Sequence, residues 1–375
     1  MIIPVDKNMK YILLSILLSG CTWLPLQAQQ VTKVHIGDNQ NYGITYSLPK
    51  QEVHIRVTAT CTQVKAGIFA SYAEKYLGVK DAPMDDYVTW QISQATMSAV
   101  SVPDTAQTYH IQFGDKVLAP TFYLGTQRQL LGINKEPDSL WLRCVTQPVD
   151  DMYVAAEQPV EELRAVNVMN EELLKAGSKT KQAEIAARQI FRIRESRLNL
   201  LTGDVDNLPA DGLSFQLVLD NLKAQEQAYM ELFTGVVSTS TVVRDFVYQP
   251  KTATAGSQVL FRFSSHFGFV DNDDLSGEPY SVHVSVVEDN RKVPVLKDAK
   301  GRPLPPATGV AYLVPGRACV ELIHKGQSLA SGTWQMSQFG HVEYFSSAQF
   351  TNKKAPASAL FDPNTGAITL ISTPY

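Results

Sequence analysis

The sequence predicts an α+β fold in which two β-rich, sandwich-like halves are separated by an antiparallel helical hairpin. Three observations lead to this reading. Segments rich in β-branched and aromatic residues, divided by turn signals, fill residues 31–165 and return over 237–375. Between them, residues 166–236 carry apolar side chains at steps of three and four, the period of a helix. A short connection, Gly203 to Gly212, favours helices that run back on each other.

In the first half, GITYSLP over Gly43–Pro49 and VHIRVTATC over Val53–Cys61 read as strands. Val53, Ile55 and Val57 share one sheet face, with His54, Arg56 and Thr58 on the other. Ile68–Leu77 reads as one short helix stopped by Gly78, with Phe69, Tyr72 and Tyr76 on one side. Further strands are expected at Tyr87–Ala95, Ala99–Pro103, Thr108–Phe113 and Leu140–Val145.

The hairpin begins with Thr180–Leu201, whose stripe is Ala183, Ala187, Ile190, Ile193, Arg197 and Leu201. Thr180 serves as its N-cap and Gly203 as its stop. The second helix runs over Asp211–Phe233 with Val218, Leu222, Gln225, Tyr229 and Leu232 as its stripe, and Gly235 lies at its end. In the last half, strands are expected at Val237–Tyr248, Gln258–Phe263, Tyr280–Val287, Gly309–Val314, Ala318–His324, Gly332–Gln335 and Ala367–Ile371. Pro315-Gly316, Lys325-Gly326 and Pro363–Gly366 are among the turns dividing them.

Residues 1–28 read as an export signal and stand outside this fold. Lys7 and Lys10 precede the apolar run Tyr11–Leu18, and small residues follow at Ser19, Gly20 and Cys21. The run is too short to span a bilayer, which takes about 20 apolar residues. Two cleavage points compete. Leu18–Cys21 resembles a bacterial lipobox, which would place a lipid on Cys21. Leu26-Gln27-Ala28 resembles an ordinary signal-peptidase site, with the cut after Ala28. The expected location is the periplasm or the outer membrane, lipid-anchored if Cys21 is modified.

A formal net charge of −4 across 375 residues argues against a nucleic-acid partner, which calls for a basic stripe. With Cys21 lipidated or removed, Cys61, Cys144 and Cys319 remain, an odd number without a CxxC spacing. That leaves room for one disulfide at most and favours small buried residues.

Chemistry-bearing motifs are sparse. Asp271, Asp273, Asp274 and Glu278 form the candidate calcium loop, since calcium takes six to eight oxygen ligands and a tight acidic loop can supply several. Its spacing departs from an EF-hand, and Asp and Asn build turns for their own sake. Asp204, Asp206 and Asp211 form a second acidic loop, broken by Leu208-Pro209. The seven histidines show no metal-ligand spacing, and no GxSxG, Walker or GxGxxG motif occurs, so no catalytic residue is assigned. Trp90, Trp141 and Trp334 lie in strand-like contexts, where each serves either the core or an exposed shelf for a sugar ring.

Several segments together resemble one family. They are Tyr42–Pro49 (YGITYSLP), Ala70–Gly78 (ASYAEKYLG), Leu200–Asp206 (LLTGDVD), Leu232–Gly235 (LFTG), Asp273–Pro279 (DDLSGEP) and Ser337–Gly340 (SQFG). This set resembles the exported Bacteroidetes family known as domain of unknown function (DUF) 4831. The resemblance implies export in a Gram-negative bacterium and a shared fold, and it brings no activity, cofactor or catalytic residue. It also implies an ordinary signal peptide, against which the Cys21 lipobox is a departure or a coincidence.

The expectation is a non-enzymatic binding or scaffold protein of the cell envelope, with an envelope protein or a glycan as partner. The alternative is a carbohydrate-binding module or envelope hydrolase in a glycan-processing system. No cofactor is expected beyond calcium at the Asp271–Glu278 loop, and membrane contact is expected only through the N-terminal lipid.

Overall fold

The computed structural model describes residues 32–34, 43–112, 120–138, 170–204, 211–251, 256–295, 298, 300, 302, 309–352 and 354–373. The export segment with Cys21 and Ala28, the strand expected at Leu140–Val145, Trp141 and Cys144 lie outside these residues.

The fold is mostly β, with 50% of the described residues in strands, 23% in helices and several sheets. The first sheet has the order β3 (Tyr87–Gln112), β2 (Gly43–Lys65), β6 (Val236–Tyr248). The second runs β11 (Gln327–Phe345), β10 (Val310–His324), β9 (Glu278–Glu288), β7 (Gly256–Ser264), β8 (Gly268–Val270). The third joins β1 (Thr32–Val34), β4 (Phe122–Leu124), β5 (Leu130–Ile133), β12 (Ser358–Phe361) and β13 (Ile368–Ser372). Neighbouring strands are antiparallel throughout.

The β-rich stretches on either side of the helices share sheets instead of forming two separate halves. β6 pairs with β2 from Val53↔Tyr248 to Lys65↔Val236, and β12 pairs with β5. A long strand presents more backbone donors and acceptors than its own hairpin partner can satisfy, so it recruits a strand from the other side of the helices.

Alternation along β2 explains the first core. Val53, Ile55, Val57 and Ala59 point inward and are fully buried, as the period of two requires. They meet Phe261 and Phe263 of β7, Val282 and Val284 of β9, and Ala318, Val320 and Leu322 of β10. Each Val, Ile, Leu or Phe among them stabilises the fold by about 1.5–3 kcal/mol through lost apolar hydration. A second core gathers Ile44, Tyr46 and Leu48 of the same strand with Phe122, Ile133, Leu313, Phe350 and Phe361.

Serving two cores requires one strand to exchange its faces. Inward residues are even-numbered from Ile44 to Leu48 and odd-numbered from Val53 to Cys61. The switch coincides with a register shift between Ser47 and Pro49 in the pairing with β3. β10 does the same between Val314 and Gly316, where inward residues change from Ala311 and Leu313 to Ala318 and Val320. One extra residue in a ladder flips everything beyond it to the other face. The separate strands expected at Gly43–Pro49 and Val53–Cys61 are therefore one kinked strand, and so are those at Gly309–Val314 and Ala318–His324. β3 likewise unites three expected strands.

The helices gather a third core of their own. Ile68–Leu77 resolves into a 3-10 turn at Ala70–Tyr72 and α1 (Ala73–Leu77), ended by Gly78 at φ 72°. α2 (Glu171–Lys175) leads into α3 (Lys179–Thr202), and α4 (Gly212–Thr234) packs on α3. A short helix, α5 (Ser347–Phe350), follows β11. The α3 cap is Ser178, whose hydroxyl accepts from the Lys181 amide, and not Thr180. Asp211 caps α4 through the Ser214 amide at 2.8 Å.

Ala183, Ala187, Ile190 and Ile193 of α3 are buried with Tyr229, Leu232, Phe233 and Phe69. The same stripes fail at the far end, where Leu201 is 60% exposed and Val218 of α4 is 36% exposed. Arg197 of the expected stripe instead pairs with Glu226 of α4, as does Arg194, each at 2.6 Å.

Candidate functional site

A groove of about 430 Å³ lies between the first two sheets. β3 contributes Trp90, Gln91 and Ile92, and the β7–β8 turn contributes Ser264, Ser265 and His266. Ser276, Glu278 and Tyr280 enter from the start of β9, and Lys325 and Leu329 from the β10–β11 hairpin.

Trp90 is fixed by its backbone, which donates to the Ser265 carbonyl at 2.7 Å and ties β3 to the β7–β8 turn. Its indole lies against Gly268, where a Cβ would stand 2.9 Å from the ring. Gly268 also has φ +73°, a conformation that only glycine adopts without cost.

Lys325 and Gly326 both have positive φ, which gives the two-residue turn that matches hairpin twist. This turn carries the Lys325 ammonium to within 2.6 Å of Glu278 Oε1. Glu278 Oε2 lies 3.0 Å from His324 Nε2. The His324 ring stacks on Tyr280 at 4.0 Å with 4° between the planes. The Lys325 hydrogen bond, with smaller help from His324, holds the Glu278 carboxyl below its usual range. Burial, followed by the Glu278 charge, pushes the Tyr280 hydroxyl up.

The groove is therefore lined by the half-buried Trp90, with Phe263 and Tyr280 buried behind it, beside hydroxyl, amide and imidazole groups. Glu278 is the one carboxylate among its lining residues and is already ion-paired. Two carboxylates flanking a glycosidic bond, the usual requirement for glycoside hydrolysis, are not both supplied by this lining.

Of the calcium-loop residues, only Glu278 lines the groove. Asp274 turns inward on its own loop: its Oδ1 accepts from the Ser276 amide at 2.8 Å, and its amide donates to the Asp271 carbonyl. The Ser276 hydrogen bonds hold its pKa below the ordinary aspartate value. Arg262 spans the same loop, donating to the carbonyls of Asn272 and Gly277 at 3.0 and 2.9 Å. Among the described residues, no three His, Cys, Asp or Glu side chains converge as metal ligands. Asp211 of the other acidic loop is a helix cap, while Asp206 lies outside the described residues.

A second polar cluster, which the sequence did not disclose, sits on the β10–β11 ribbon. Tyr312 donates to Glu343 Oε2 at 2.6 Å, and His341 Nε2 lies 3.1 Å from Glu343 Oε1. His341 Nδ1 faces the Asn290 carbonyl. Tyr312 and Glu343 are cross-strand partners, which is a matter of register and leaves no local motif. The cluster clasps the loop after β9 to β11, and each of its groups spends its hydrogen bond inside the cluster.

Trp334 is half-buried and packs against the first core. Cys61 is buried in β2 and Cys319 half-buried in β10. No helix of the described residues is long and apolar enough to cross a membrane. No curated protein matches the chain, and no solved structure does. The model of one family covers residues 42–369, almost the whole of the strands and helices above, and the chain belongs to that family, Domain of unknown function (DUF4831).

Proposed function

We propose that this is a non-enzymatic binding protein of the bacterial cell envelope, exported by residues 1–28, whose groove at Trp90 takes a glycan. In this reading the first two sheets form a β-sandwich, and α3 and α4 form an antiparallel hairpin with a core of its own. The observation that carries the proposal is the half-buried Trp90 beside a rim of Gln91, Ser264, Ser265, His266 and Ser276. A sugar ring offers C–H bonds on its faces and hydroxyls around its edge, and this lining supplies apolar surface and hydrogen-bonding groups in the same arrangement. Glu278 and Lys325, neutralising each other, leave the site without net demand for a charged ligand.

Isothermal titration with a panel of envelope oligosaccharides tests the reading, with Trp90 fluorescence as a second signal. Binding should be saturable, and Trp90→Ala should weaken it by about tenfold or more, the loss expected when a ring-sized apolar contact is removed. Gln91→Ala, on the exposed rim, should weaken it without altering the melting temperature. A panel that gives neither heat nor fluorescence change would overturn the glycan assignment. Mass spectrometry of the mature N-terminus tests export, with cleavage before Cys21 or after Ala28 as the two supporting results.

A further inference from the structure

The outer edge of β6 is unpaired among the described strands. β6 ends its sheet, bonded to β2 on one side along its whole length without a register shift. On the other side no described strand pairs with it. Edge strands normally carry charge, proline or a bulge, which prevent another strand from adding. Val236–Val243, VVSTSTVV, has none of the three. The first charges come at Arg244 and Asp245, and Asp245 is engaged by Arg56 at 2.8 Å. The opposite edge, β3, is guarded: its Trp90 amide is bonded to Ser265, and it breaks register at Pro103.

We propose that β6 pairs with β6 of a second copy of this chain, antiparallel, about a two-fold axis through Ser240. Such an axis stands perpendicular to the sheet and keeps each residue on its own face, so opposed residues must share parity. Centred on Ser240, it sets Thr239 opposite Thr241 of the second copy and Val237 opposite Val243, all on the outward face. Cross-strand Thr–Thr and β-branched pairs are favourable on a sheet. A two-fold also brings like against like, so a charged edge would repel itself, whereas this segment is neutral. Val237, Thr239 and Thr241 are exposed in the single chain. The product is one continuous sheet in the order β3-β2-β6-β6-β2-β3.

Sedimentation equilibrium of the purified full chain tests this, with two variants of equal substitution number. Thr239→Lys/Thr241→Lys places like charges opposite each other at both symmetric pairs, and Thr239→Lys/Thr241→Glu places opposite charges there. The expected result is a wild-type mass twice that of the chain, a monomer for the Lys/Lys variant and a dimer for the Lys/Glu variant. All three should have the same circular dichroism, because both positions are exposed. A monomeric wild type, or a Lys/Lys variant that stays dimeric, would overturn the proposal. Loss of the dimer in both variants would overturn the Ser240-centred register. Glycan titration of the monomeric variant separates this outcome from that of the groove.

Discussion

Gln51 and Gln338 are locked together at the point where the two long ribbons change faces. The Gln338 side chain reads the Gln51 backbone as a neighbouring strand would, donating to its carbonyl and accepting from its amide. The Gln51 side chain answers by accepting from the Ser337 amide at 2.6 Å and donating to the Asn364 carbonyl. Gln51 is only 3% exposed, so these backbone groups have little water to turn to. Removing one partner of a buried hydrogen bond costs about 1–3 kcal/mol, more than the bond itself contributes. Gln51→Ala and Gln338→Ala should each lower the unfolding free energy by about that amount in urea titrations. The double variant should lose less than the sum, since both side chains serve the same junction. Additive losses would show that the two act independently.

This junction also marks where the sequence stops being legible. The alternation of Val53, Ile55 and Val57 is a local pattern, and the structure follows it without change. Pro49 and Pro315 read as strand breaks because proline cannot donate to a ladder. In the fold both sit beside register shifts inside continuous strands, where a missing donor does no harm. β4, β5 and β12 were invisible for another reason. They are three or four residues long, and β4 and β5 are buried throughout, so no polar alternation betrays them. Glu278 was singled out for its acidic neighbours, yet its partners are Lys325 and His324, brought together by the pairing of β9 with β10. Trp90 was legible as an aromatic in a strand, but its role depends on Gly268 and Ser265, which no spacing connects to it.

The helices give a contrast between two residues of one expected stripe. Ile190 is fully buried against the core that includes Phe233, whereas Leu201 is 60% exposed near the end of α3. Ile190→Ala removes three heavy atoms from a packed site and should cost about 2–5 kcal/mol. Leu201→Ser should stay within about 0.5 kcal/mol of wild type, as surface changes do. Thermal and urea unfolding of the two variants check the burial boundary. Equal destabilisation would mean that the far end of the helix pair is packed in solution.

The bidentate pair between Arg56 and Asp245 gives stability a definite dependence on pH. Arg56 Nε and Nη2 reach the two carboxylate oxygens at 2.8 and 2.9 Å, across β2 and β6. This hydrogen bonding holds the Asp245 carboxyl below the ordinary aspartate value. A carboxyl depressed in the folded state contributes stability that is fully present above its unfolded pKa of about 3.9. The contribution is lost as pH falls through the lower folded value, because the folded state must then take up a proton it resists. Arg56 is 42% exposed and the pair is screened, so its worth is about 0.5–1 kcal/mol. Asp245→Asn should therefore be less stable than wild type by that margin at neutral pH. The margin should narrow below about pH 4, where protonation removes the pair from wild type as well. Salt should narrow it at neutral pH for the same electrostatic reason. A difference that is constant from neutral to acid pH would assign the effect to packing of the Asp245 side chain and not to its charge.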